Sequence, residues 1–280
     1  MISSDRPSKR LVLEAGRADR QYWADIWRYR ELFFILAWRD VAVRYKQTVI
    51  GLAWAFVRPF VTMIVFTVVF GKLARLPTEG DAPYAVLVFA GLLPWTLASS
   101  ILNDASNSVI TNSQLVSKVY FPRIVIPFAT VMVGLIDFGV SLFILAGVMA
   151  WYGMVPDRHI LLLPVFVVLA VLVAIGPALW AAAMIVKYRD FRFIIPFIVQ
   201  FGLYVSPVGF SSAVVPEAWR FLYSLNPVVG VIDGFRWCLL RGEPALDPVN
   251  LGVSLAMAGL LLLSGLWYFR RTERTFADII

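Results

Sequence analysis

Six stretches of this sequence stay apolar for about twenty residues or more, the length a helix needs to cross the hydrocarbon core of a bilayer. They are Thr48–Gly71, Ala82–Asn103, Ile124–Pro156, Ile160–Val186, Phe193–Pro216 and Val249–Phe269. Only Arg58 interrupts the first and only Asp137 the third. Prolines within or near the ends of these spans do not count against helices, because neighbouring segments in a membrane bundle satisfy the carbonyls they free. With 60% apolar and only 15% charged residues in 280, the chain could bury most of its apolar side chains only in lipid. That excludes a soluble globular enzyme, a disordered chain and a secreted disulfide scaffold. The expected fold class is an all-α integral membrane protein.

A seventh candidate, Phe221–Leu240, has an uncharged run too short to cross. Pro227, Gly230 and Gly234 break it, and Asp233 and Arg236 lie in its second half. It predicts an external re-entrant helix pair at about residues 217–242, between spans five and six. The charges agree with six crossings. Segments on one side carry 18 Lys and Arg and those on the other carry 6, which puts both termini in the cytoplasm. The organisation expected is a cytoplasmic segment over residues 1–47 followed by a six-span domain over 48–280. The opening residues are polar and charge-rich, with no early apolar core of the kind a cleavable signal peptide carries.

Within the first segment, Trp23, Trp27, Phe34, Trp38, Val41 and Tyr45 fall on one helical face, within about 60° at 100° per residue. Arg28, Arg39 and Lys46 point the other way. A basic, Trp-rich amphipathic helix of this kind lies in the headgroup plane, either as an anchor or as a collar beside an entrance. Leu32 and Leu36 sit on its polar side, which predicts that this side meets protein.

Several chemistries have no sequence support. There is no P-loop, no HExxH and no GxSxG elbow. Cys238 and His159 are the only residues of their types, which makes a His/Cys metal cage very unlikely. The +7 net charge reads as topogenic, not as a nucleic-acid surface. Asp137 is a lone acid inside a span, weak support for a proton relay, and Arg58 is its candidate partner.

Three segments, in order, carry a family likeness: RDVAVRYKQTVIGLAWAFVRP at Arg39–Pro59, NSQLVSKVYFPRIVIPFA at Asn112–Ala129, and KYRDFRFIIPFIVQFGLYVSPVGF at Lys187–Phe210. LNPVVGVIDGFR at Leu225–Arg236 and the terminal RRTERTFADII fit as well. Together they resemble the permease subunit of type-2 ABC exporters of polysaccharide, the class that moves O-antigen, capsule and teichoic acid chains. The resemblance implies a multi-pass homodimer in the bacterial inner membrane, with two copies of a separate cytoplasmic ATPase that bind ATP and Mg. This chain itself would then hold no cofactor, have no enzyme activity and bind no nucleic acid. It also implies a coupling helix between spans two and three, with Ser117, Lys118, Tyr120, Phe121 and Arg123 as ATPase contacts. Tyr188, Arg189 and Asp190 in the next inner loop would be weaker contacts. Asn226, Pro227, Asp233 and Arg236 would belong to the re-entrant gate.

A sugar polymer cannot dissolve in hydrocarbon, and its C–H faces stack on aromatic rings. Phe197, Phe201 and Tyr204 fall at i, i+4 and i+7 in the fifth span. Phe56 with Phe60, and Phe66 with Phe70, make i, i+4 pairs in the first. These stripes are the expected channel lining for a lipid-linked polysaccharide. An exporter of lipids or drugs, an integral membrane sugar-lipid transferase and a structural anchor for a cytoplasmic complex remain the alternatives.

Overall fold

The computed structural model describes residues 18–46, 51–78, 82–243 and 245–279, and among them every regular element is helical. The polar opening and the predicted start of the first span at Thr48–Ile50 lie outside the described residues. α1 (Ala18–Arg28) and α2 (Arg30–Lys46) come first, followed by α3 (Gly51–Phe66), which runs on as a π-helix over Thr67–Leu73. α4 (Tyr84–Thr111) and the short α5 (Ser113–Lys118) lead to α6 (Val125–Trp151) and α7 (Leu163–Lys187). α8 (Phe191–Val205), α9 (Glu217–Ser224), α10 (Pro227–Leu239), α11 (Pro248–Thr272) and α12 (Phe276–Ile279) complete the chain. Five helical stretches are long and apolar enough to cross a membrane: Phe56–Leu73, Tyr84–Thr111, Val125–Trp151, Arg158–Lys187 and Pro248–Thr275. The stretch expected as the fifth crossing, Phe193–Pro216, instead forms the 15-residue α8 and then leaves helical geometry at Ser206. At 1.5 Å per residue α8 is roughly 22 Å long, short of the ~30 Å hydrocarbon thickness.

α4 is the central post. It packs against α6, α7 and α10, and its residues from Val86 to Ala90 are completely buried. α11 lies along α7, and the contact is close because two glycines meet. A Cβ on Gly265 would sit 2.3 Å from the Gly176 carbonyl oxygen. Alongside, Trp180 stacks on Tyr268 at 4.2 Å and donates its indole N–H to Ser264 Oγ at 3.2 Å.

The ends of the bundle can be read from polar contacts. Tyr22 donates to Glu273 Oε2 at 3.0 Å, Arg123 donates to the Glu273 carbonyl, and Tyr29 donates to the Tyr120 carbonyl at 3.2 Å. The N-terminal helices, the α4–α6 loop and the C-terminal end of α11 therefore share one end. Burial, with the Glu273 carboxylate close by, pushes the Tyr22 phenol above its ordinary range. The opposite end gathers the start of α4 and the chain beyond α8, where Tyr84 donates to the Gly209 carbonyl. α8 and the turns after it thus carry the chain back from the Lys187 end of α7 to the Tyr84 end of α4.

α10 is a buried helix, not a surface loop. Asn226 caps it by accepting from Val228 N–H at 3.2 Å, and Pro227 fills the first turn, where no N–H is needed. Arg236 is fully buried and donates to the carbonyls of Phe210 at 2.9 Å, Val208 at 3.1 Å and Leu87 at 3.4 Å. One guanidinium thereby satisfies the irregular backbone after α8 and fastens it to α4.

Candidate functional site

A cleft of about 940 Å³ is walled by α3, α4, α6 and α8. Its α4 wall is polar although that helix is uncharged in its apolar part. Thr96, Ser99, Ser100 and Asn103 repeat at helical spacing along it. Each donates to a carbonyl of its own helix: Leu93 at 3.0 Å, Thr96 at 3.1 Å, Leu97 at 3.0 Å and Ser99 at 2.9 Å. Their donors are satisfied when the cleft is empty, yet each oxygen keeps lone pairs for a passing hydroxyl. Trp54 from α3 and Trp95 from α4 add aromatic surface to the same walls. Such a surface suits a solute with many hydroxyls and apolar ring faces, and it demands no fixed partner.

The foot of the cleft is ionic. Arg44 on α2 reaches Asp104 on α4 at 2.9 Å and Asp137 on α6 at 2.8 Å, and Tyr45 donates to the same Asp137. Burial and the Asp137 carboxylate push the Tyr45 phenol above its ordinary range. The partner of Asp137 is therefore Arg44 with Tyr45, not Arg58. Arg58 lines the cleft on α3 and is exposed. Because one guanidinium bridges two carboxylates, α2 is locked across α4 and α6 at three-helix contact.

Of the aromatic residues expected to line a lane, none belongs to the wall of this cleft. Phe197, Phe201 and Tyr204 are exposed on the face of α8 opposite Val199 and Leu203, which do line it. Phe56 is exposed and stacks on the half-buried Phe60 at 6.2 Å. Phe66 is buried, and with Phe70 it packs against the backbone at Gly209. The two pairs of the first span fail to make one stripe because ten residues turn a helix by about 1000°, leaving Phe56 and Phe66 some 80° apart. The missed features are Thr96, Ser99, Ser100 and Asn103, whose i, i+3/i+4, i+7 spacing inside an uncharged span was a readable signal.

The interface-helix residues divide similarly. Trp23, Trp27, Phe34 and Trp38 point outward, while Leu36 and Ala37 are buried against α6, as the apolar positions on the polar face predicted. Tyr45 turns inward to Asp137, and the helix is broken at Tyr29 into α1 and α2. On the α4–α6 loop, Ser117, Lys118 and Tyr120 are exposed. Phe121 is buried, and the half-buried Arg123 is bonded to the Glu273 carbonyl, so both are held by the chain itself. Tyr188, Arg189 and Asp190 are exposed at the same end.

A bundle of long apolar helices around a polar, aromatic-walled cleft is the architecture of a membrane protein with room for a polar solute. A family profile described as ABC-2 type transporter matches residues 31–240. The chain belongs to that membrane family of ABC transporters. It is 25% identical over 259 residues to the O-antigen export system permease protein RfbA of Myxococcus xanthus, covering 91% of this chain and 98% of that one. It is 24% identical to the protein of the same description from Klebsiella pneumoniae, over 89% and 95% of the two chains. The polysialic acid transport protein KpsM of Escherichia coli is 23% identical over 84% of this chain and 91% of its own.

Proposed function

We propose that this chain is the channel-forming subunit of an ATP-driven exporter that moves lipid-linked polysaccharide from the cytoplasm across the bacterial inner membrane. The cleft carries this reading: its α4 wall offers hydroxyl-compatible oxygens beside two tryptophans, the chemistry a sliding sugar chain requires. The relatives' export of O-antigen and transport of polysialic acid fit that substrate class. The working unit is a homodimer with two cytoplasmic ATPases that bind ATP and Mg. α3 and α8 turn their exposed aromatic faces toward the second copy, and Phe56, Phe60, Phe197, Phe201 and Tyr204 extend the lane across the dimer axis.

Six crossings, with both termini inside, are supported by two independent features. The Lys and Arg bias favours the end that holds the termini, and contacts bring α1, the α4–α6 loop and Glu273 together at that end. α8 is the short fifth crossing, and α9 with α10 forms the re-entrant pair whose Asn226, Pro227, Asp233 and Arg236 belong to the outer gate. ATPase contact falls on α5 and the exposed Ser117, Lys118 and Tyr120, with Tyr188, Arg189 and Asp190 beside them. The α1–α2 collar lies in the inner headgroup plane with Trp23, Trp27, Phe34 and Trp38 toward lipid.

The test is deletion and complementation in the source bacterium. Removing the chain should abolish surface polysaccharide and leave polymer inside the cell, and the wild-type chain should restore it. The purified subunit should hydrolyse no ATP without the co-expressed ATPase. Unaltered surface polysaccharide in the deletion strain, or transport by this chain reconstituted alone, would sink the reading.

A further inference from the structure

A second cavity, of about 130 Å³, lies at the Tyr84 end of the molecule, among α9, α10 and the start of α11. It is separate from the cleft, and the outer gate proposed above shares Asp233 with its wall. Most polar groups around it are already spent. Ser224 Oγ donates to the Arg220 carbonyl at 2.8 Å, Ser254 Oγ donates to the Ser224 carbonyl at 3.0 Å, and Asp247 caps α11. Two are not. Tyr223 Oη and Asp233 Oδ1 are sealed from bulk solvent, line this cavity, and have no hydrogen-bond partner. Buried polar groups without partners are rare in folded chains, and two sharing one cavity point to an occupant.

The chemistry of the cavity narrows that occupant. The Asp233 carboxyl and the Tyr223 hydroxyl are both met by a hydroxyl group, which can donate to one and accept from the other. Arg236 offsets the Asp233 charge and Ser212 bonds the same carboxyl, while Arg220 in the cavity wall is engaged with the Val215 and Ala213 carbonyls. Hard cations take six or more oxygens, often from several carboxylates, and the described residues contain no cluster of three acidic, His or Cys side chains fit for a metal. Val229 and Leu251 supply apolar surface. A cavity of about 150 Å³ accepts a six-membered ring such as benzene, so this one has room for a single ring. Hydroxyl donors on an apolar-faced ring describe a sugar.

We propose that this cavity is a subsite that holds one sugar ring of the exported polymer at the outer end of the molecule, with Asp233 and Tyr223 bonded to its hydroxyls. The proposal rests on the export reading above. A ring held here keeps the emerging chain from sliding back while the inner end is reset.

Photo-crosslinking in exporting cells tests it. A benzophenone amino acid replaces Ala213, an exposed residue at the cavity rim, or Thr96 in the cleft as the reference. Glycan on the purified subunit is detected by periodate oxidation and hydrazide staining. Polymer-sized products are expected at both positions. Tyr223→Phe should cut labelling at Ala213 about fivefold, the factor carried by one lost hydrogen bond of ~1 kcal/mol, and leave labelling at Thr96 unchanged. Asp233→Asn should do the same, and Thr96 labelling in each variant reports that the exporter has assembled. Labelling at Thr96 but not at Ala213 overturns the subsite and spares the export reading. So does Ala213 labelling that neither substitution reduces, and so does a product heavier by one free sugar only. Labelling at neither position removes the export reading and the subsite with it.

Discussion

α4 and the α3 stretch are almost equally apolar, with mean hydropathies of 1.9 and 1.7, yet α4 buries 72% of its most apolar stretch inside the chain and α3 only 17%. The difference is one of partners, not composition. α4 is surrounded by α6, α7 and α10, and its Tyr84 end is also held by Arg236. α3 leans on α4 and α6 yet leaves Phe56, Ile64 and Val65 exposed. α8 follows α3: Ile195 is buried, while Phe193, Phe197, Phe201 and Tyr204 are exposed. One half of the molecule is therefore a scaffold, and the other half is surface waiting for lipid or a second subunit. Substitutions that keep apolar volume but change partners should separate the two.

The largest effect is expected at Arg236, the one buried cation among the described residues. Arg236→Met keeps the aliphatic stem but leaves the carbonyls of Leu87, Val208 and Phe210 without this donor. The Leu87 carbonyl still accepts within α4, so two groups are left unsatisfied at about 1–3 kcal/mol each, about 2–6 kcal/mol in all. The variant should give little folded protein in detergent and a much lowered melting midpoint. A midpoint within a few degrees of wild type would mean that the chain after α8 is not fastened through this residue.

Next comes the α7–α11 seam. Gly265→Val places carbon where the Gly176 carbonyl already lies, so the helices must part, at a cost of about 1–3 kcal/mol. Gly139→Val on α6, where an added Cβ would meet nothing within 4 Å, is the matched control and should melt like wild type. If both variants melt alike, the close approach contributes nothing.

A smaller effect in stability is expected at the boundary between the halves. The Arg44 side chain is 42% exposed, so its bridge to Asp104 and Asp137 contributes at most about 1 kcal/mol. Arg44→Gln should scarcely move the melting midpoint. It should instead release α2 from α4 and α6, seen as faster amide exchange over residues 30–46 with α4 unchanged. The effect should be mimicked in part by high salt, which screens half-exposed charges. Unchanged exchange in α2 would show that Leu36 and Ala37 hold that helix without the bridge.

Much of this arrangement was legible in the apolar runs, because twenty-residue stretches with few charges leave little choice in lipid. The break between the two short helices α9 and α10 was legible as well, since Pro227 opens the second one in a run too short to cross. The partner of Asp137 was not. Arg44 and Arg58 are both plausible by charge, and only the angle at which α2 crosses α6 brings Arg44 and Tyr45 to that carboxylate. Phe121 illustrates the opposite error. An aromatic ring in a charged loop reads as an exposed knob, yet it is buried at 4% exposure in the apolar core of the chain. Which face of an apolar helix meets its own chain is a tertiary fact, and apolarity all round a helix hides it.

The smallest stability effect, and the sharpest test of the comparison, lies on the unpartnered faces. Phe197→Ala and Tyr204→Ala together with Phe60→Ala remove rings that are exposed or half-buried within one copy, so the melting midpoint should shift little, with each exposed site within about 0.5 kcal/mol. Ser99→Leu with Ser100→Leu also adds no charge, but it fills the cleft and removes its oxygens. If the lane runs over the paired faces of two copies, the triple alanine variant loses export while ATPase docking and dimer formation persist. If it runs through the cleft, the leucine pair blocks export and the alanine variant does not. Both should lose export if the lane crosses from the cleft onto the α3 and α8 faces, which is the outcome expected here. Surface polysaccharide at wild-type level in both would leave these walls with no part in transport, and α3 and α8 would be exposed simply to face lipid.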